Sequence, residues 1–276
     1  MEYAILTLLS FVACIFGALV GAGGGFILVP ALLFLHSGDP AWSPALVTFM
    51  GLFIALCNGI SSTATYGRMG RIDWRTGLIF GVSTMIPAVA GRLVVSRLDA
   101  PLFSMFFGCF MMAIALWLLR NAALGRAASA SERPLRPGLA QRHLTDVDGI
   151  EYRYAFSMPL GVSLSSGVGF LATFFGVGGG IIQVPIMTQL LRIPVLVATA
   201  TSMFLLLISA STGVATYFIG GGRLDPWWAL CLGAGALAGG QVGARLARRV
   251  KGKVVLVLLA IGLALAGARL IYRFLN

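Results

Sequence analysis

The chain has 276 residues, 58% of them hydrophobic and only 11% charged, and its mean hydropathy is +0.94. A soluble protein needs far more charge to face water, so the composition excludes the soluble classes. The net charge of +11 does not mark a nucleic-acid protein either. The basic residues fall between apolar runs and in one polar stretch, as the positive-inside rule expects of cytoplasmic loops.

Apolar runs of the length a helix needs to cross a bilayer recur along the chain. In the first half they are predicted at Tyr3–Gly21, Phe26–Leu35, Ala45–Tyr66, Trp74–Val95 and Leu102–Leu119. A polar stretch follows from Asn121 to Arg153, carrying Arg126, Arg133, Arg136, Arg142 and Arg153 among Pro, Ser and acidic residues; it reads as a soluble cytoplasmic linker. The second half repeats the pattern at Tyr154–Gly176, Ile181–Leu191, Val195–Ile219, Trp227–Leu246 and Val254–Phe274. The expected organisation is a first transmembrane repeat over 1–120, a linker over 121–153 and a second repeat over 154–276. Glu2 takes the place of a basic n-region and no A-x-A site follows the first run, so that run does not read as a signal peptide.

The halves match in order. Gly21-Ala22-Gly23-Gly24-Gly25 with Pro30 corresponds to Gly176-Val177-Gly178-Gly179-Gly180 with Pro185, and Thr65-Tyr66 to Thr216-Tyr217. Arg71-x-Asp73 before Trp74 corresponds to Arg223-x-Asp225 before Trp227, and Gly91 to Gly243. The offset stays between 151 and 155 residues, which points to internal duplication. If the chain reverses at the glycine motif, each half crosses five times and the second half is inverted. Arg68, Arg71, Arg75, the linker, Arg192 and the run Arg245, Arg248, Arg249, Lys251, Lys253 then all lie inside. With four crossings per half that last run is forced outside, against its strong orientation signal. The predicted fold is therefore an all-α polytopic membrane protein with two inverted repeats. Phe26–Leu35 would reach only ~15 Å as a helix, so eight to ten membrane segments are expected.

Three glycines followed by proline should break a helix. Broken backbone at membrane depth is tolerated where it is buried in protein or lines a watery cavity, and the freed N–H groups at the following helix start suit an anion. Gly23, Gly24, Gly25 and Pro30 with Gly178, Gly179, Gly180 and Pro185 are accordingly candidate substrate-binding positions. The bland alternative is close helix packing, the role read for Gly77/Gly81 and Gly239/Gly243. Asn58 and Gln183 are costly to bury without a purpose and join the candidates, as do Thr201, Ser202 and Ser209; each hydroxyl can equally bond its own helix. All nine acidic residues, from Glu2 to Asp225, lie at segment ends or in the linker. With no carboxylate or histidine in mid-membrane, the pattern argues against a cation transporter, a carboxylate proton relay and an intramembrane enzyme. Arg92 and Arg245 sit closest to the segment interiors and are read as snorkelling to the interface. Cys14, Cys57, Cys109 and Cys231 stand singly and read as core residues. No catalytic residue, metal or cofactor is expected.

The chain resembles the sulfite exporter TauE/SafE family, also called the toluene sulfonate uptake permease family. The resemblance rests on Gly21–Gly25 with Pro30, Gly176–Gly180 with Pro185, and Ala200-Thr201-Ser202. It implies a bacterial inner-membrane protein that moves a small sulfur-containing anion such as sulfite, sulfoacetate or another organosulfonate. The expected function is a secondary transporter, in the export direction, working by alternating access. Uptake of an organosulfonate or thiosulfate-like anion is the alternative, and a non-transporting membrane assembly protein the more distant one. The partners expected are the anion and the lipid bilayer, with a homodimer left open. Where the second half has Thr201-Ser202 the first has Met50-Gly51, so only one half can supply those hydroxyls.

Overall fold

The computed structural model describes residues 2–35, 42–123, 139–223, 225–247 and 252–275. Ten α-helices are found among them: α1 Glu2–Val20, α2 Gly25–Leu35, α3 Pro44–Arg68, α4 Trp74–Val95, α5 Ala100–Ala123, α6 Met158–Phe174, α7 Gly180–Pro185, α8 Val195–Ile219, α9 Pro226–Leu246 and α10 Gly252–Leu275. Local chemistry sets several starts. Ser43 caps α3 by accepting from the Leu46 N–H, Asp73 caps α4 by accepting from Thr76, and Asp225 caps α9 by accepting from Trp227. The prolines at the starts of α3, α6 and α9 cost nothing there, because a first-turn N–H has no partner in the helix.

The apolar runs of the sequence are these helices, and five of them are long and apolar enough to cross a membrane by length and composition: Tyr3–Val20, Pro44–Arg68, Trp74–Val95, Pro101–Arg120 and Val195–Ile219. On α4 the outward residues Leu78, Val82, Ile86 and Leu93 stand exposed, Ile86 to 84%. An apolar face of that extent belongs against lipid. The chain is a multi-pass, all-α membrane protein.

Small residues set the packing. Gly235, Gly239 and Gly243 of α9 lie directly on the α1 backbone at Thr7, Phe11 and Ile15, so the two helices run parallel in close contact. Gly91 and Gly169 do the same for α4 and α6, and Gly77 and Gly81 receive Phe204 and Ile208 of α8. In the centre α3 and α8 cross antiparallel, with Gly59 on Leu207 and Gly213 on Leu52. The most extensive helix pairs are α1 with α9, α4 with α6, α5 with α10, α3 with α8, α3 with α9 and α4 with α8. Exchanging the first five helices for the last five in order turns this set of pairs into itself.

The polar stretch between the halves is more than a linker. Helix α5 runs on to Ala123, and strands β1 (Ala140–Thr145) and β2 (Glu151–Phe156) pair antiparallel in the register Ala140↔Phe156 to Thr145↔Glu151. Gly149, at φ 78°, makes the turn, and the Asp146 carboxylate accepts from the N–H groups of Asp148 (2.9 Å) and Ile150 (3.0 Å). This hairpin is clamped onto the first Arg-x-Asp motif. Arg71 Nε meets Asp146 Oδ2 at 3.0 Å and Arg71 Nη2 meets Asp148 at 3.2 Å. Asp73 accepts from the Tyr154 hydroxyl at 2.8 Å and lies 3.4 Å from Arg142 Nε. The expected inside charges at Arg126, Arg133, Arg136, Arg248, Arg249 and Lys251 lie outside the described residues.

Candidate functional site

Each glycine segment breaks its helix in the same way. Ala22 and Gly23 donate their N–H groups to Gly17 O at 2.8 and 3.2 Å, and Val177 and Gly178 donate to Ala172 O at 3.0 and 3.3 Å. Gly21 and Gly23 have φ 75° and 71°; Gly176, Gly178 and Gly179 have φ 70°, 73° and 86°. These left-handed conformations are open to glycine at no steric cost. The two segments then pass each other. A Cβ on Gly25 would sit 2.6 Å from the carbonyl oxygen of Gly176, and one on Gly180 would collide with that of Gly21. Between these contacts, Gly23 and Gly178 both face Leu206 of α8 and Ala55 of α3. The motifs form an antiparallel crossing in direct backbone contact at the centre of the fold.

Helix α8 holds both segments by hydroxyls seven residues apart, hence on one face. Ser202 Oγ donates to Gly21 O at 2.8 Å, and Ser209 Oγ donates to Gly178 O at 2.9 Å. The corresponding positions of α3 are Gly51 and Asn58. Gly51 carries no side chain and lies against the Gly176 carbonyl. Asn58 donates to Cys14 O at 3.4 Å and accepts from Ser62 Oγ at 2.8 Å, joining α1 to α3.

Beside the crossing, among α4, α6, α7 and α8, lies a small pocket. Thr84, Gly178–Gly180, Gln183, Ser202 and Ser209 give it its polar wall, and Val168, Leu205 and Leu206 close it. Gln183 is buried (1% exposed). Its Nε2 donates to Ser165 Oγ at 3.0 Å, while Oε1 has no hydrogen-bond partner. Rotating the amide by half a turn exchanges two groups of the same shape. Ser165 then donates to Oε1, and an N–H replaces the orphaned oxygen as a donor. No ionisable side chain lines the pocket, so it meets a ligand with hydroxyls, an amide and glycine backbone. Pro185 ends α7 and the chain continues as a π-turn, Ile186–Leu190, because the ring lacks an N–H and crowds the preceding turn.

The structure thus gathers Gly178, Gly179, Gly180, Gln183, Ser202 and Ser209 around one cavity. Gly23 and Gly25 serve the crossing instead, Gly24 packs on Cys14 of α1, and Pro30 and Pro185 lie within α2 and α7. Thr201 accepts from the Asp73 N–H at 3.1 Å, tying the start of α4 to α8. Thr84 and Ser165 were not singled out in the sequence. Each stands beside other hydroxyls, Ser83 for Thr84 and Ser163 and Ser166 for Ser165, and only the fold brings Ser165 to Gln183.

The helix breaks expected from glycine and proline lie in direct contact inside a helical membrane fold, and comparison with known proteins supplies the rest. Residues 6–270 match the family described as Sulfite exporter TauE/SafE. The chain belongs to that family. Similar proteins include the probable membrane transporter protein YunE of Bacillus subtilis, 33% identical over 99% of this chain and 98% of its own. Another is the probable membrane transporter protein ORF9 of Sinorhizobium sp., 26% identical over 95% of this chain and 90% of its own. A probable membrane transporter protein of Methanocaldococcus jannaschii is 26% identical over 77% of this chain and 71% of its own. No solved structure matches. Membership makes this TauE/SafE chain a membrane transporter.

Proposed function

We propose that the chain is a secondary transporter that exports a small sulfur-containing anion, sulfite or an organosulfonate such as sulfoacetate, across the bacterial inner membrane. The observation that carries this reading is the Gln183 pocket at the glycine crossing: lined by hydroxyls, an amide and glycine backbone, free of charged side chains and holding an unpartnered amide atom. A carboxylate-free pocket favours an anion over a cation. Outward movement of the anion would be driven by an inside-negative potential, worth ~2.3 kcal/mol per charge per 100 mV.

The hydroxyls suggest how occupancy couples to movement. Ser202 shares its proton between the Gly21 and Thr199 carbonyls, both at 2.8 Å, and Ser209 shares its between those of Gly178 (2.9 Å) and Leu206 (3.2 Å). An anion's oxygen competes for those same protons, so binding loosens the bonds that hold the crossing together. The antiparallel passage of α3 and α8 and the exchange of helix partners between the halves support an inverted pair, the plan on which alternating access works by rocking one half against the other.

Liposomes containing the purified protein test the reading, with flux measured for sulfite, organosulfonates, sulfate and chloride at set potentials. Potential-driven flux of a sulfur oxyanion is expected, and no flux of any anion would sink the proposal. Gly179→Leu places a side chain at φ 86°, at a cost of roughly 1–2 kcal/mol, and fills the pocket wall. It should abolish flux with expression intact. Wild-type flux in that variant would return the second glycine motif to a packing role.

A further inference from the structure

Arg92 is half-buried and turns part of its head group into the protein. Its Nε and Nη1 are buried within the protein and have no hydrogen-bond partner. Its guanidinium carbon lies 5.0 Å above the ring of Tyr217. That ring is fixed: it stacks on Phe49 at 3.7 Å, and its hydroxyl donates to Arg223 O at 3.3 Å. By contrast Arg245, the other inward arginine of the sequence, is exposed and reaches Gln241 at 3.4 Å. Among the described residues no carboxylate pairs with Arg92. Buried guanidinium N–H groups without a partner are costly unless something anionic comes to them.

Its position says what that is. Arg92 follows Thr84 on α4 by eight residues, and Tyr217 follows Ser209 on α8 by eight. Thr84 and Ser209 both line the Gln183 pocket. These helices run side by side in the same direction, Gly77 on Phe204 and Gly81 on Ile208. The Arg92–Tyr217 pair therefore stands about 12 Å from the pocket, at the end of the molecule away from the hairpin. The other half has no such residue: the position matching Arg92 is Ala244, fully buried, just as Leu28 stands where Gln183 would be.

We propose that Arg92, held over Tyr217, is a second binding position for the transported oxyanion, on the route between that end of the protein and the Gln183 pocket. This rests on the transport reading above. The ligand class is a small oxyanion such as sulfite or a sulfonate head group, taken by charge-assisted hydrogen bonds from the buried nitrogens. The site attracts and selects, so it acts on capture at that face more than on the maximal rate.

The test uses sulfite as probe and the full-length protein in liposomes of defined orientation. Arg92→Gln should raise KM about tenfold for sulfite presented at the face away from the hairpin. The maximal rate should stay within about twofold, and the ionic-strength dependence of capture should be reduced. Arg92→Lys, which keeps the charge but loses the planar head, should fall between, and it stands in if Arg92→Gln does not fold. Arg245→Gln should match the wild type. Unchanged KM and salt dependence in whichever Arg92 variant folds would overturn the inference while wild-type flux stands. Absent wild-type flux is a different outcome and refutes the transport reading itself.

Discussion

Gln183 is the residue on which most of the pocket's chemistry turns. Its amide is buried and half satisfied, bonded to Ser165 and otherwise unpaired. An unpaired buried polar group costs roughly 1–3 kcal/mol, a cost that a bound anion removes. Gln183→Leu keeps the bulk and matches Leu28 of the other half. It should fold at least as well as the wild type but raise KM for the anion about tenfold or more. Gln183→Glu puts a negative charge where the anion must sit and should stop flux. An unaltered KM in the leucine variant would remove the pocket from the transport path. At this scale the sequence was only partly legible. Asn58 and Gln183 look equally suspicious as buried amides, and Ser202 and Ser209 share a face by spacing alone. What separates them is where their bonds go, Asn58 to Cys14 and Ser62 and Gln183 to one partner only. Those partners come from other helices, which no local pattern specifies.

The β-hairpin is the element the sequence left unread. The segments rich in apolar residues announce themselves as helices because a bilayer demands about 20 of them in a row. A pair of six-residue strands with the alternating polar pattern of Ala140–Thr145 and Glu151–Phe156 gives little signal inside a basic stretch. It is held by Asp146 reaching Arg71, 75 residues earlier. Burial pushes the Asp146 carboxyl up, but the Ile150 N–H, the Arg71 guanidinium and the Asp148 N–H outweigh it, and the group lies below its usual 3.8. A depressed carboxylate stabilises the fold above its ordinary value, and that contribution is lost as pH falls through the lower, folded one. Arg71→Ala leaves Asp146 buried without its cation, a loss of roughly 3–5 kcal/mol for such pairs. Amide exchange across 140–156 should therefore quicken in Arg71→Ala at neutral pH, and in the wild type only below about pH 3.8. Equal protection in both proteins at neutral pH would show that the strands stand without the clamp.

At the scale of the whole molecule the two halves look alike in plan and unlike in content. The crossing of Gly21–Gly25 with Gly176–Gly180 and the exchange of helix partners are features of both. Gln183 and Arg92 are matched by Leu28 and Ala244 in the other half, and the hairpin is clamped to the residues just before α4. A pair of halves that is symmetric in backbone but not in side chains can rock between two arrangements while keeping a single binding site, which is what an alternating-access carrier requires. That argument needs the halves to be inverted, and the loops can decide it. Val147 donates its N–H to Met69 O and is 61% exposed, so it marks the loop before α4. Arg223 marks the corresponding loop before α9. In a background lacking the four native cysteines, Val147→Cys and Arg223→Cys should react with a membrane-impermeant maleimide from opposite sides. Basic residues around the first loop place it on the cytoplasmic side, so intact cells should label only Arg223→Cys. Labelling of both cysteines from one side would make the halves parallel, and a rocking pair about the α3–α8 crossing would no longer describe how this transporter works.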